Sequence, residues 1–329
     1  MVESVLVSFV LGGLGAACIY FFGKDLGFID IPNHRSSHRK PIPKGGGIGI
    51  LAAFLLLSML TRIPLLFSAS VSIISLFGLL GDRRDISPRL RLTVQFICAL
   101  LAVLVYFDRD SAGTLEYFLL PVWIFFIVGT ANFYNFMDGI NGIAAITGAV
   151  AFGFLAFFLH LENLEPSFGI ISASLAFGCL GFLPFNIPRA RVFMGDVGSI
   201  LLGFVFAVIV FRITDSILDF LCFSSLLFPF YIDELSTMVI RLKNGENLTQ
   251  AHRLHLYQIV ANEKKMAHWK VSLLYGLLQC IVAIGVFSLK PMGIMAVLLF
   301  LFLASAGFLL LSFCIRARLR FGEETKKPV

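Results

Sequence analysis

The sequence predicts an all-α, polytopic membrane protein of about eleven transmembrane helices, and three observations carry the prediction. Hydrophobic residues make up 58% of the 329 positions and charged residues only 14%, a balance foreign to water-soluble globules. Apolar runs of about bilayer-spanning length recur along the whole chain. Lys and Arg gather in every second connection between those runs, as the positive-inside rule requires of a membrane protein.

The runs fall near 4–23, 47–61, 64–80, 91–107, 115–131, 139–160, 168–183, 197–212, 217–240, 270–289 and 291–315, with the second and third short for a span. With the N-terminus outside, inward segments hold 22 of the 26 Lys and Arg; Arg62, Arg109, Arg212 and Lys290 alone lie outward. One extra or missing helix would scramble that alternation, so the expected orientation is N-out, C-in. Met1-Val2-Glu3-Ser4 lacks the basic start of a cleaved signal peptide, so the first run is expected to stay as a span. The chain reads as a single integral membrane domain over 1–329, with cytoplasmic loops at 24–47, 81–91, 132–142, 184–199 and 241–270 and a basic tail at 316–329.

Composition also excludes. The net charge of +6 reflects topology rather than nucleic-acid binding. Cys18, Cys98, Cys179, Cys222, Cys280 and Cys314 all lie in apolar runs without a C-x-x-C pair, and read as small core hydrophobes.

The chemistry concentrates in the inward loops. Segment 132–142 carries three Asn, one Asp and two Gly but no Lys or Arg. Asn135, Asp138 and Asn141 offer amides and a carboxylate to a polar ligand or hard cation, while the glycines let backbone approach closely; helix capping is the bland alternative. The loop at 31–47 is basic and proline-stiffened, holds His38 and Lys44, and ends in three glycines at a helix start, an expected anion site. Asp82 and Asp85 lie among four arginines, where mutual salt bridging is the alternative to function. Asp196 sits between glycines at a helix mouth three residues after Phe193, and suits either capping or Mg2+. His252 and His255 would share one face of a helix, with Arg253 between them; zinc lacks a third ligand there, and a phosphate chain fits the donors better.

Taken together, Pro-Asn-x-Arg-Ser-Ser-His with Pro-x-Pro-x-Gly-Gly-Gly, Asn-x-x-Asn-x-x-Asp-Gly-x-x-Gly, Phe-Met-Gly-Asp-x-Gly-Ser and His-Arg-x-His-x-Tyr-Gln resemble one family in order and in membrane side. The chain resembles the polyprenyl-phosphate N-acetylhexosamine-1-phosphate transferases, glycosyltransferase family 4, over about residues 24–258, and most the branch that initiates O-antigen synthesis. The resemblance implies transfer of a sugar 1-phosphate (N-acetylglucosamine or a 6-deoxy-N-acetylhexosamine) from a UDP-sugar to undecaprenyl phosphate. UMP would be released, Mg2+ (or Mn2+ in its place) required, and the setting would be the bacterial inner membrane with a cytoplasmic site. It implies that Asp196 ligates the metal, with Asn135 and Asp138 beside metal and nucleotide and Asp82 in a metal or phosphate role. Phe193 would stack on uracil, Asn141 would contact the base, and His252, Arg253 and His255 would hold the diphosphate or lipid phosphate. A homodimer is a further family expectation.

One position departs from the pattern. The family carries two adjacent aspartates where this chain has Gly81-Asp82, so the first is missing. Rival readings are a catalytically impaired scaffold of the same family and a transporter of polyprenyl-linked sugars. Transporters, however, place binding residues near the midplane, whereas here the polar residues collect at one face.

Overall fold

A computed structural model describes residues 2–32, 37–38, 40–84, 86–107, 113–247 and 252–324, the side chains of 320–324 excepted. Asn33, His34, Arg35, Ser36 and Arg39 of the first basic loop, together with Asp85, Arg109 and the end of the tail, lie outside the described residues. The chain runs α1 (Val2–Phe22), an antiparallel ribbon of β1 (Ile29–Asp30) and β2 (Ile42–Pro43), α2 (Ile48–Leu60), α3 (Leu65–Arg83), α4 (Pro88–Tyr106) and α5 (Thr114–Phe136). It continues with α6 (Ile143–Leu161), α7 (Pro166–Phe182), α8 (Asp196–Ile213), α9 (Ile217–Ser224), α10 (Phe228–Lys243), α11 (Leu256–Asn262), α12 (His268–Leu289) and α13 (Ile294–Glu324).

Nine helices among the described residues are long and apolar enough to cross a membrane. The two remaining sequence runs take other forms. The second is α2, only 13 residues long, and the ninth is broken: α9 and α10 are separated by a 3-10 turn at Ser225–Leu227, with Pro229 entering α10. The third run, also short for a span in the sequence, forms a full 19-residue helix. The protein is thus an all-α, multi-pass membrane protein. Its lipid face shows in the exposed side chains of α1 and α13, such as Leu14, Phe21, Phe302 and Phe313, a density of apolar surface that water would not tolerate.

At the centre stands α8. Apart from Ser199 it is apolar on every side from Val197 to Val210, and it is buried throughout that stretch, as a helix surrounded by other helices must be. Two glycines set how closely its neighbours approach. A Cβ at Gly203 would lie 2.8 Å from the Ala131 Cα and the Thr130 carbonyl of α5, and one at Gly78 of α3 would lie 2.9 Å from the backbone of Asp196. Small residues at such crossings let backbones close up where lipid supplies no hydrophobic drive. The same device joins α1 to α7 at Gly12, Gly13, Gly178 and Gly181, where Ser8 and Ser174 share a buried hydrogen bond of 2.6 Å.

Connections assigned to one membrane side do meet at one end of the bundle. Lys44, Asp82, Asn135 and Asp196 converge at one end, while at the other Lys290 pairs with Glu162 and Asp219, and Arg212 with Glu165. Cysteine usage matches the core reading at Cys98, Cys179 and Cys222; Cys18 and Cys314 instead face outward, and Cys280 is half-buried.

Candidate active site

Because Gly78 draws α3 onto the start of α8, Asp82 one turn later lands on the first peptide of α8. Its Oδ2 accepts from Asp196 N at 3.0 Å, satisfying an N–H that a helix start leaves without an internal partner. Gly195 precedes it at φ +74°, and a Cβ there would sit 2.5 Å from Asp82 Oδ2, so the turn requires glycine. The approach of α5 permitted by Gly203 does the same for Asn135. Its amide donates to Asp196 Oδ1 at 2.9 Å and to Ser199 Oγ at 2.8 Å. Arg91, in the first turn of α4, donates to Asp196 Oδ2 at 2.5 Å. Lys44 Nζ lies 3.7 Å from Asp82 Oδ1.

Lys44, Asp82, Asn135 and Asp196 line one cavity of about 290 Å³, together with Asp30, Ser37, His38, Asp138, Gly139, Ile140, Phe193, Gly195 and Gln258. His38 faces Phe193 edge-on, ring centres 5.0 Å apart, and its Nε2 lies 3.6 Å from Asp30. Asp82, Asp138 and Asp196 therefore share a wall. Burial, and then the charge of Asp196, push the Asp138 carboxyl up to about 7. Crowded carboxylates of that kind fit a hard divalent cation, which would relieve their repulsion. Among the described residues no three His, Cys, Asp or Glu side chains are gathered to hold an ion unaided. Such a cation would take one or two carboxylates here and complete its shell with phosphate oxygens and water, the usual habit of Mg2+.

Seven of the eleven sequence-designated residues come together at this cavity: Asp82, Asp138, Asp196, Asn135, Phe193, Lys44 and His38. Four do not line it. Asn141 sits beside it, its amide on the Pro188 carbonyl (3.3 Å) and its own carbonyl accepting from Ser272 Oγ (2.8 Å). His252 and His255 precede α11 rather than lying within a helix, although their rings are still only 4.7 Å apart. His255 is buried against Glu234 at 3.3 Å. Burial holds His255 down to about 3, helped by Arg316 and Arg241, and burial with the neighbouring His255 holds His252 down to about 4, so both rings are neutral at pH 7. Arg253 lies between them and likewise does not line the cavity.

Three local expectations change. The glycine run at 45–47 is not an open anion cradle: the N–H groups of Gly45 and Gly46 donate to the Phe193 carbonyl and that of Gly47 to Met194. The run instead clamps the Phe193–Met194 segment against the start of α2. Polar stretch 132–142 is half helix, since α5 runs through Phe136 and only 137–142 forms the connection. Asp82 pairs with Lys44 and the α8 terminus rather than with the arginines around it in sequence.

Sequence reasoning passed over Asp30, Ser37 and Gln258 on the cavity, and Arg91 on Asp196. It also passed over Asn186, which ties two loops by accepting from Gly142 N (2.5 Å) and donating to the Val192 carbonyl (2.8 Å). Gln258 and Asn186 stand inside stretches already singled out. So do Ser37 and Arg91, the latter the last of the four arginines around Asp82 and Asp85, but nothing local marks Asp30.

Fold and site together define a multi-pass membrane protein with an acidic, oxygen-rich cavity at one end of its bundle. Comparison with known proteins narrows this class. The sequence profile of glycosyl transferase family 4 matches residues 64–214. An undecaprenyl-phosphate alpha-N-acetylglucosaminyl 1-phosphate transferase of Thermotoga maritima is 30% identical, over 95% of this chain and 96% of its own. The protein of the same name from Yersinia pestis is 28% identical over 92% and 88%. A phospho-N-acetylmuramoyl-pentapeptide-transferase of Halalkalibacterium halodurans is 30% identical over 74% and 84%. The chain belongs to glycosyl transferase family 4, and is a transferase of the membrane.

Proposed function

We propose that the protein transfers a HexNAc-1-phosphate, of N-acetylglucosamine or a 6-deoxy-N-acetylhexosamine, from a UDP-sugar to undecaprenyl phosphate, releasing UMP. The step would initiate O-antigen or a related envelope polysaccharide, at the cytoplasmic face of the bacterial inner membrane. The observation that carries this reading is the convergence of Asp82, Asp138, Asp196, Asn135 and Lys44 on one cavity. The names of the relatives, which act on polyprenyl phosphates, support the acceptor.

The reaction is a single in-line displacement. An oxygen of the lipid phosphate bonds to the β-phosphorus, the bond from that phosphorus to the bridging oxygen breaks, and UMP leaves with that oxygen. A phosphate monoester with its second pKa near 6 is already mostly dianionic at pH 7, so the chemistry asks for positioning and charge neutralisation rather than a base. That makes Gly81 tolerable. Mg2+ held at Asp196, with Asn135 and Asp138 beside it, would supply neutralisation of the diphosphate. Asn135 fixes the Asp196 carboxylate, Lys44 offers a cationic donor to phosphate, and the His38–Phe193 ring pair offers a wall for the uracil. A double displacement would need Asp82 as nucleophile, but that carboxylate is buried and engaged by Asp196 N and Lys44.

Purified protein, undecaprenyl phosphate and a panel of UDP-sugars, with UMP measured with and without Mg2+, test the proposal. Mg2+-dependent UMP release with at least one UDP-HexNAc is expected. Silence with every sugar would favour the scaffold reading that Gly81 suggests.

A further inference from the structure

Gly81 and Arg91 are coupled in space. Arg91 reaches from α4 across α3 to Asp196, and its Nη2 lies over Gly81, donating to the Gly81 carbonyl at 3.4 Å. A Cβ at position 81 would stand 2.7 Å from Arg91 Nη2 and 3.0 Å from its Cζ. The guanidinium thus occupies the space a side chain at 81 would take. Both oxygens of Asp196 are thereby engaged, Oδ1 by the neutral Asn135 amide and Oδ2 by a cation. The neighbouring carboxylate cannot draw Arg91 away, because Asp82 is committed to Asp196 N and Lys44.

Resting on the proposed role of Asp196 as a metal ligand, we infer that Arg91 is a resident counter-ion that competes with a divalent cation for Asp196, and that the glycine at 81 directs it there. A charge-assisted bond to Oδ2 removes one of the carboxylate's donor positions and sets a positive charge beside any approaching cation. A carboxylate at 81 would sit against the guanidinium and share it, lowering that competition. This chain therefore binds divalent cations more weakly than the same site would with an acid at 81.

Mn2+ binding to the purified full-length protein, read by the electron paramagnetic resonance of free Mn2+, tests the inference without turnover. Arg91→Gln is expected to tighten Mn2+ about two- to fivefold, the effect of losing one ion pair of this partly exposed kind. Lys44→Gln removes a charge from the same cavity without touching Asp196, and is expected to tighten it less. Gly81→Asp is expected to tighten Mn2+ in the parent chain and to lose most of that gain in the Arg91→Gln background. Should Arg91→Gln fail to fold, Gly81→Ala, whose methyl would meet the guanidinium, is expected to tighten Mn2+ without adding a charge, and no gain there would overturn the inference. Equal effects of Arg91→Gln and Lys44→Gln, or a Gly81→Asp gain that is the same in both backgrounds, would overturn the inference while leaving the metal reading intact. No saturable Mn2+ binding in any variant would overturn both.

Discussion

Two polar regions that look equally functional in sequence meet different physical ends. The carboxylate region, formed by the ends of α3 and α5 and the start of α8, points its side chains into an open cavity. The His-Arg-x-His-x-Tyr-Gln region turns most of its polar atoms into the protein. Asp233, fully buried in α10, accepts from Leu256 N (2.8 Å), Tyr257 N (3.2 Å) and Tyr275 Oη (2.7 Å), and so anchors the start of α11. Tyr257 then donates to the Phe136 carbonyl at 3.1 Å, against Gly139, and Gln258 reaches the cavity. Motif density alone does not separate a group that touches substrate from one that builds the wall. The difference lies in whether the polar groups face the open cavity or the protein interior.

The largest expected effect separates the two regions by kind. Asp196→Asn should lower turnover roughly a thousandfold, on the scale of losing a key electrostatic group in an active site, while the thermal midpoint stays near the parent's. Asp233→Ala should do the reverse first. It strands two backbone N–H groups and a tyrosine hydroxyl in the interior, each costing on the order of 1 kcal/mol or more; thermal unfolding in lipid should show a clear drop in stability before any assay of turnover. Gly139→Ala lies where the regions meet, with its added methyl directed at the Tyr257 hydroxyl and Gln258; a loss of about 1–3 kcal/mol is expected, readable by the same melts.

The smallest effect concerns pH. Asp138, held up to about 7, keeps its proton in the fold at pH values where the unfolded chain, with an ordinary carboxyl near 3.8, has lost it. The folded state then binds more protons than the unfolded one, so stability falls as pH rises from about 4 toward 7 and levels above that. Melts of parent and Asp138→Asn without divalent cation should show that slope in the parent and a shallower one in the variant. Equal slopes would mean that burial and the charge of Asp196 do not hold the Asp138 proton as described.

Much of this was legible in the chain. Long apolar runs and the alternation of Lys and Arg gave the helices, because burial in lipid leaves a direct compositional trace. Asp82, Asp138 and Asp196 stood out because an acid flanked by glycine at a helix end is unusual inside a hydrophobic sequence. What stayed hidden depended on distance in space. Arg91 counts as one more inward-facing cation until α3 and α4 bring it to Asp196. Asp30 sits in an unremarkable pair of strand residues. The glycine run at 45–47 reads as an anion site because nothing nearby in sequence takes its N–H groups; only the Phe193–Met194 segment, about 150 residues later, shows where those bonds go. His255 carried the chemistry of a ligand in sequence, and its burial against Glu234 could not be read without α10 beside it.

The most direct test of the central claim is UMP release from UDP-N-acetylglucosamine, or the best sugar of the panel, by parent, Asp196→Asn and His255→Gln enzymes titrated with Mg2+. If the carboxylate region is the reacting site and the His region its wall, Asp196→Asn loses turnover at every Mg2+ concentration. His255→Gln should keep the parent's Mg2+ dependence, with any loss explained by lowered stability. A folded Asp196→Asn protein that releases UMP at the parent's rate would contradict the account.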